Sequence, residues 1–177
     1  MESPGRKMRH WPIVKTVAFI ILVQGAVLVY LPVFVLEERG ALKMPALSVL
    51  TVFAAVLWAF AVWVCISCAI RFALEGKGTP APVDPPRILV VRGIYRFTRN
   101  PMYVGVVSAL LAEALFFSQA ALAFVALLCF MGFHLFVILY EEPHLRRVFG
   151  PQYEEYCRKV PRWAPLLGKW NRSRVAR

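Results

Sequence analysis

PMYVGVVSALLAEALFFSQAALAFVALLCFMGFHLFVILY, residues 101–140, is the stretch of sequence around which this chain folds. It contains two apolar runs that are separated only by Ser118 and Gln119. Two helices joined by so short a turn pack as a tight antiparallel pair. The start of the first helix and the end of the second then lie side by side. The hairpin therefore places Arg99–Tyr103 next to Glu141.

The remainder of the chain is also strongly apolar. Of its 177 residues, 59% are hydrophobic, and the mean hydropathy is positive. Soluble domains of this length contain much less apolar sequence. The net charge of +11 comes from basic residues that flank the apolar runs, while the aromatic residues lie mainly inside those runs. This pattern argues against nucleic acid as a partner and predicts an all-α integral membrane protein.

Four apolar segments have about the length of transmembrane helices, at about 1.5 Å per residue across a hydrocarbon core of about 30 Å. They are residues 17–36, 46–70, 101–117 and 120–140. The third is short for a span, and a fifth short re-entrant or interfacial segment is an open alternative. We expect membrane lipids to surround these four helices.

The chain divides into two parts at a proline-rich segment, residues 75–86, which cannot continue a helix. Residues 1–74 are expected to form an N-terminal transmembrane helical pair. Residues 75–177 are expected to form a core that consists of a cytoplasmic loop, the hairpin 101–140 and a C-terminal cap. Within this cap, residues 143–159 mix apolar and charged positions in a pattern that predicts one amphipathic helix at the membrane surface.

The basic residues also predict an orientation. Four lie before the first apolar run, six from Arg71 to Arg99 and nine from Arg146 to Arg177, whereas the connector 37–45 holds two. Cytoplasmic loops of membrane proteins carry the excess of Lys and Arg. We therefore expect a multi-pass protein of the inner or plasma membrane with both termini in the cytoplasm.

The segment before the hairpin, Arg87–Tyr103, reads RILVVRGIYRFTRNPMY and carries the polar groups of interest. Gly93 allows a close or unusual backbone turn, and Pro101 suits the first turn of a helix. Free N–H groups and the positive end of the helix dipole would then lie beside several arginines. This combination favours binding of an anionic group such as a carboxylate.

Two motifs at the ends of the hairpin resemble a known family. They are G-I-Y-R-x-x-R-N-P-M-Y-x-G from Gly93 to Gly105 and E-E-x-x-L-x-x-x-F-G-x-x-Y-x-x-Y-x-x-x-V-P from Glu141 to Pro161. In this order and spacing they resemble the isoprenylcysteine carboxyl methyltransferases and related phospholipid methyltransferases. The resemblance covers roughly the C-terminal half. It implies methyl transfer from S-adenosyl-L-methionine to a lipophilic acceptor that enters from the bilayer.

The resemblance also implies roles for individual residues. Glu141 matches the family glutamate that binds the ammonium group of the cofactor. The other expected cofactor-binding positions are Arg87, Ile88, Leu89, Val90, Tyr95, Arg99, Asn100, Pro101, Met102 and Tyr103. The open alternative is that Glu141 and Glu142 simply end the helix at the interface, paired with Arg99 or Arg146.

Two positions depart from the family pattern. Asn100 stands where most members have histidine, and an amide cannot carry a proton near neutral pH. Val137 stands where the prenylcysteine enzymes have an arginine that contacts the substrate. Val137, His134 and Arg146 are the candidate substrate-binding positions. His134 is alternatively a neutral core histidine, and no catalytic residue is assigned.

Glu113 and the pair Cys65 and Cys68 are further candidates for a functional role, and each also has a purely structural explanation. Glu113 lies close to the outer turn of the hairpin and either reaches the interface or has a functional role inside the membrane. Cys65 and Cys68 have a metal-like spacing, but inside an apolar helix they are expected to be small packing residues, so no metal site is predicted. Two other functions remain open: a membrane reductase of the sterol-reductase type that uses NADPH, and a non-catalytic lipid-binding or interaction protein.

Overall fold

The computed structural model describes residues 20–71 and 88–163. The predictions for the basic N-terminal segment, the loop 75–86, Arg87 and the basic tail from Lys169 fall outside these residues. All regular secondary structure in the described ranges is helical, as the composition predicts.

The helices follow one another in chain order. Two π-helical turns, Ile20–Gln24 and Ala26–Tyr30, lead into α1, Leu31–Glu38, and α2 is Val49–Arg71. A 3₁₀ turn, Gly93–Arg96, precedes α3, Pro101–Phe116. Helix α4, Ala120–Phe136, continues through a π-helical turn, Val137–Glu141, into α5, Glu142–Phe149, and α6 is Pro151–Lys159.

Two of these helical segments are long and apolar enough to cross a membrane. They are Val49–Arg71, with 23 residues, and the continuous segment Ala120–Phe149, with 30 residues. Helix α3 is apolar but has only 16 residues. These lengths support a helical membrane protein, while the number of spans and the position of the termini remain predictions.

The connection between α3 and α4 is as tight as its sequence predicts. Ser118 has a positive φ of 52°, which reverses the chain at the end of α3. The backbone N–H of Phe117 then donates to the Glu113 carbonyl at 3.0 Å, and that of Gln119 donates to the Ala114 carbonyl at 2.9 Å. These bonds satisfy carbonyls that would otherwise be unpaired at the helix end.

Small residues allow α2 and α3 to pack closely. A Cβ atom added to Gly105 would lie 2.7 Å from Cys65 Sγ and 3.1 Å from the Ala61 carbonyl oxygen. Close approach through small side chains is common between membrane helices, where burial of apolar surface provides little attraction. Cys65 and Cys68 are free and buried at 1% exposure, which agrees with their expected packing role.

The cap contains two helices, so the prediction of a single helix over 143–159 is wrong. Gly150 has a φ of 52° and ends α5, and Pro151 begins α6 with a fixed φ and no N–H. The bend places α6 against the segment that precedes α3. There Tyr153 and Tyr156 are buried together with Val91.

Candidate functional site

Tyr103 and Glu141 meet at the open end of the hairpin. The Tyr103 hydroxyl donates to Glu141 Oε2 at 3.0 Å. The Tyr103 ring also stacks on Phe133 of α4, with 4.7 Å between ring centroids. The expected proximity of Glu141 to the start of α3 is therefore confirmed. Glu141 belongs to a π-helical turn, a distortion that is frequent at functional sites.

Glu142, the next residue, has a different environment. Its side chain is 3% exposed and accepts from Arg99 Nη1 at 3.0 Å, Arg146 Nη2 at 3.2 Å and Arg162 Nε at 2.6 Å. A buried carboxylate requires such charged partners, because desolvation without them is costly. Glu142 thus ties together the start of α3, the cap helix α5 and the chain after α6.

The sequence left open whether these glutamates form structural ion pairs or are available to a ligand, and the two residues differ in this respect. Glu142 forms ion pairs with Arg99 and Arg146, as expected of a structural glutamate. Across residues 20–71 and 88–163, no arginine or lysine forms an ion pair with Glu141, which Tyr103 holds through a neutral hydroxyl. Glu141 consequently keeps a carboxylate that can interact with a cationic ligand.

Polar contacts also fix the segment before α3 to the end of the cap. The Asn100 side-chain amide donates to the Arg162 carbonyl at 3.1 Å, and the Thr98 hydroxyl donates to the same oxygen at 3.0 Å. The backbone N–H of Arg99 donates to the Pro161 carbonyl at 2.9 Å. Asn100 therefore acts here as a hydrogen-bond donor, a role that requires no ionisable group.

Tyr95 and Tyr156 make a second link between the cap and this segment. The Tyr156 hydroxyl donates to the Tyr95 carbonyl at 2.7 Å, and both side chains are buried. Burial raises the pKa of each phenol well above its ordinary value, so both stay neutral at physiological pH. Val90 and Met102 pack with Tyr95 in one buried cluster.

His134 contacts a residue from beyond the cap. The Trp163 indole N–H donates to His134 Nδ1 at 3.0 Å, and Phe130 packs on the Trp163 ring with 5.2 Å between centroids. Because Nδ1 accepts this bond, the neutral ring carries its proton on Nε2. His134 is therefore positioned as a donor through Nε2.

The other two candidate substrate positions have protein partners. Val137 is 1% exposed and contributes to the packing of the π-helical turn. Arg146 donates through Nη2 to Glu142 and through Nε to Glu154, at 2.8 Å for the second contact. Its guanidinium is therefore partly occupied by carboxylates, and a role of Arg146 in substrate binding stays a prediction.

Sequence reasoning missed several residues of this site. Arg162 donates to Glu142 and Trp163 donates to His134, yet both residues follow the last recognised motif position, Pro161. Cys157 accepts from Arg99 Nη1 at 2.7 Å, in addition to the ion pair between Arg99 and Glu142. The signal in the sequence was the cationic and aromatic pair Arg162–Trp163, which lies directly after the last motif position, Pro161.

No group of three or more His, Cys, Asp or Glu side chains in the described ranges is arranged to hold a metal ion. The site instead offers one carboxylate, several neutral hydroxyl and amide groups, and aromatic rings at a helix start. These groups can bind a cation and position an extended polar ligand beside apolar surface. The candidates for a general base among them are His134 and the two glutamates, and no catalytic role is assigned to any of these.

Comparisons with known proteins agree with this arrangement. A family model for phospholipid methyltransferases matches residues 49–152, which covers α2 through the start of α6. The chain is also 34% identical over 80 residues to a protein-S-isoprenylcysteine O-methyltransferase of Schizosaccharomyces pombe. That match involves 45% of this chain, and the chain spans about a third of the length of the relative, 34%. No solved structure matches.

The matched family is one of methyltransferases, which favours methyl transfer over the reductase and lipid-binding alternatives. The family model includes both the motif at the start of α3 and the glutamates at the end of α4. Because it covers more than half of the chain, this protein belongs to the phospholipid methyltransferase family.

Proposed function

We propose that this protein is an integral membrane methyltransferase that transfers a methyl group from S-adenosyl-L-methionine to a lipophilic acceptor. The observation that carries the proposal is the Tyr103–Glu141 pair at the open end of the hairpin, inside the region that the family model matches. The relative from S. pombe is named as an O-methyltransferase, which supports the same reaction class.

The residues at this end fit the chemistry of the cofactor. S-adenosyl-L-methionine carries two cationic groups, an ammonium and a sulfonium. Glu141 offers a carboxylate that no described basic residue neutralises, and Tyr103 fixes its orientation. Tyr95, Met102 and the backbone at residues 88–90 lie at the same end of α3 and are proposed to line the rest of the cofactor site.

The protein's contribution to the reaction is positioning and exclusion of water. Bound S-adenosyl-L-methionine supplies an activated methyl group on a sulfonium, so in-line displacement depends mainly on alignment and desolvation. The cap packs through Tyr153 and Tyr156 on the segment before α3, and we propose that it helps to exclude water from the site. The Trp163 contact holds His134 with its Nε2–H available to orient an acceptor.

The acceptor is proposed to have a reacting end that is neutral or poorly matched to arginine. Val137 replaces the family arginine, and Arg146 is occupied by two carboxylates. A cation in a membrane pocket is retained only where an anion compensates its desolvation, which costs about 2.5–3.5 kcal/mol on insertion scales. A lipid amine, an alcohol or a small hydrophobic acid fits this site better than a prenylcysteine.

The cofactor proposal is tested by calorimetry with S-adenosylhomocysteine. Glu141→Gln removes a charge-assisted contact worth about 1.5–3 kcal/mol, so affinity should fall about 10- to 150-fold. Glu154→Gln is the matched control, because the Glu154 side chain is 48% exposed and belongs to the cap surface. Equal affinity in wild type and Glu141→Gln would remove Glu141 from the cofactor site.

The reaction itself is tested by transfer of a radiolabelled methyl group from S-adenosyl-L-methionine to a membrane lipid extract. We expect labelled product with the extract and little or none with a farnesylcysteine analogue. Robust methylation of the analogue that is unaffected by Arg146→Ala would show that Val137 does not determine which acceptor is methylated. Stabilisation by NADPH in place of S-adenosylhomocysteine would favour the reductase instead.

A further inference from the structure

A cavity of about 400 Å³ lies at the other end of α3, between that helix, α1 and α2. Its lining is apolar apart from two side chains, the Glu113 carboxyl and the Trp58 indole. Small-molecule sites in proteins typically have volumes of about 300–1,000 Å³ and combine an apolar lining with a few polar groups. The cavity therefore has the size and composition of a ligand site.

Glu113 is a buried side chain of this cavity lining. It is 9% exposed, and Trp58 Nε1 donates to its Oε1 at 2.8 Å. The second carboxyl oxygen, Oε2, is buried and has no hydrogen-bond partner among the described residues. A buried carboxylate is costly unless a cation or several donors compensate it. The cavity thus presents one acceptor oxygen for which the described protein supplies no donor.

This cavity is separate from the proposed cofactor site. Glu113 follows Tyr103 by ten residues on α3, which corresponds to about 15 Å along the helix axis. A ligand whose polar end binds Glu113 would therefore not place that end beside Tyr103 and Glu141. The lining residues Val29 and Leu42 are 58% and 46% exposed, so the cavity has a side on which an apolar molecule can enter from surrounding lipid.

We propose that this cavity binds a lipophilic amine, with its ammonium group paired to Glu113 Oε2 and its hydrocarbon chain against the apolar lining. An ammonium supplies both the positive charge and the hydrogen-bond donor that the buried carboxylate lacks. A hydroxyl supplies a donor without the charge, and a quaternary ammonium supplies the charge without a donor. A protonated amine, which carries a positive charge and at least one N–H donor, satisfies both requirements of the site.

Binding is measured with dodecylamine and purified protein in nanodiscs of neutral phosphatidylcholine, by the change in tryptophan fluorescence. Trp58 donates to Glu113, so occupancy of the site should alter its emission, and Trp58→Phe should remove most of the signal. We expect dodecylamine to bind at least ten times more tightly than dodecanol or dodecyltrimethylammonium. Equal binding of dodecanol would overturn the ammonium assignment.

Two variants test the site. Glu113→Gln keeps an acceptor for Trp58 but removes the charge and should weaken dodecylamine binding at least tenfold, while Glu37→Gln, at an exposed position of α1, is the matched control. Ala55→Leu leaves Glu113 intact, fills part of the cavity and should weaken binding of all three probes. Unchanged dodecylamine affinity in Glu113→Gln would refute the pairing with Glu113, and unchanged affinity in Ala55→Leu would refute binding in this cavity.

Titration with S-adenosylhomocysteine separates this inference from the proposed function. Its affinity should be the same in wild type, Glu113→Gln and Ala55→Leu, because both positions lie away from Glu141. Loss of amine binding with unchanged S-adenosylhomocysteine affinity supports a second site. If wild type fails to bind S-adenosylhomocysteine, the proposed function is wrong. The dodecylamine measurements still test the amine site in that case. Thermal unfolding checks that each variant is folded.

Discussion

Removal of the Glu142 charge should be among the most damaging single changes in this protein. Glu142 is 3% exposed and faces Arg99, Arg146 and Arg162, whose side chains are 10%, 44% and 31% exposed. In Glu142→Gln the buried Arg99 loses its carboxylate, and breaking a buried ion pair costs about 3–5 kcal/mol. The two more exposed arginines add little, about 0.2–1 kcal/mol each.

Thermal unfolding of the purified protein in detergent measures this loss. For a chain of this size, about 3–5 kcal/mol corresponds to a decrease in Tm of roughly 6–20 °C. Trypsin should also cut faster at Arg158 and Lys159, because the cap loses its attachment to α3. Glu154→Gln, which removes an exposed partner of Arg146, should change Tm by no more than a few degrees.

A double variant tests the physical reason for the effect. Replacing Arg99 and Glu142 together by Gln removes both buried charges, so the unpaired charge that destabilises the single variant is absent. The double variant should therefore be more stable than Glu142→Gln alone. If Glu142→Gln unfolds at the same temperature as Glu154→Gln, Glu142 does not hold the cap, and the reasoning is refuted.

Three further predictions concern packing, reactivity and topology. Gly105→Ala should lower Tm, because the new Cβ would lie 2.7 Å from Cys65 Sγ. Adding Cys65→Ala to this variant should restore part of the loss in Tm. If the two substitutions changed Tm additively, the contact between these residues would be contradicted. Burial raises the pKa of the Cys157 thiol, although the nearby Arg99 partly lowers it. Alkylation of Cys157 by iodoacetamide should therefore be slow at pH 7 and become faster as pH rises. An apparent pKa clearly below about 8.5 for that reaction would contradict this prediction. Ser173→Cys should react with an impermeant maleimide only after the cells are permeabilised, and labelling from outside would reverse the proposed orientation.

The sequence alone determines much of the helical framework. Apolar runs of sufficient length must become helices in a membrane, since only intrahelical bonds satisfy the backbone there. The two-residue interruption at Ser118 and Gln119 requires a tight hairpin, and Pro101 marks where its first helix begins. These features depend on chain connectivity and local backbone preference. The meeting of Tyr103 with Glu141 follows directly from them.

The tertiary structure decides which of two adjacent glutamates is structural. Glu141 and Glu142 differ by about 100° around a helix, and no local pattern specifies how that helix is rotated against its neighbours. The π-helical turn and the fold of the cap set this rotation, so that Glu142 meets three arginines and Glu141 meets Tyr103. The same holds for Glu113, which pairs with Trp58 on another helix. Such contacts join residues far apart in the chain, and they depend on packing that becomes defined only when all the helices are assembled.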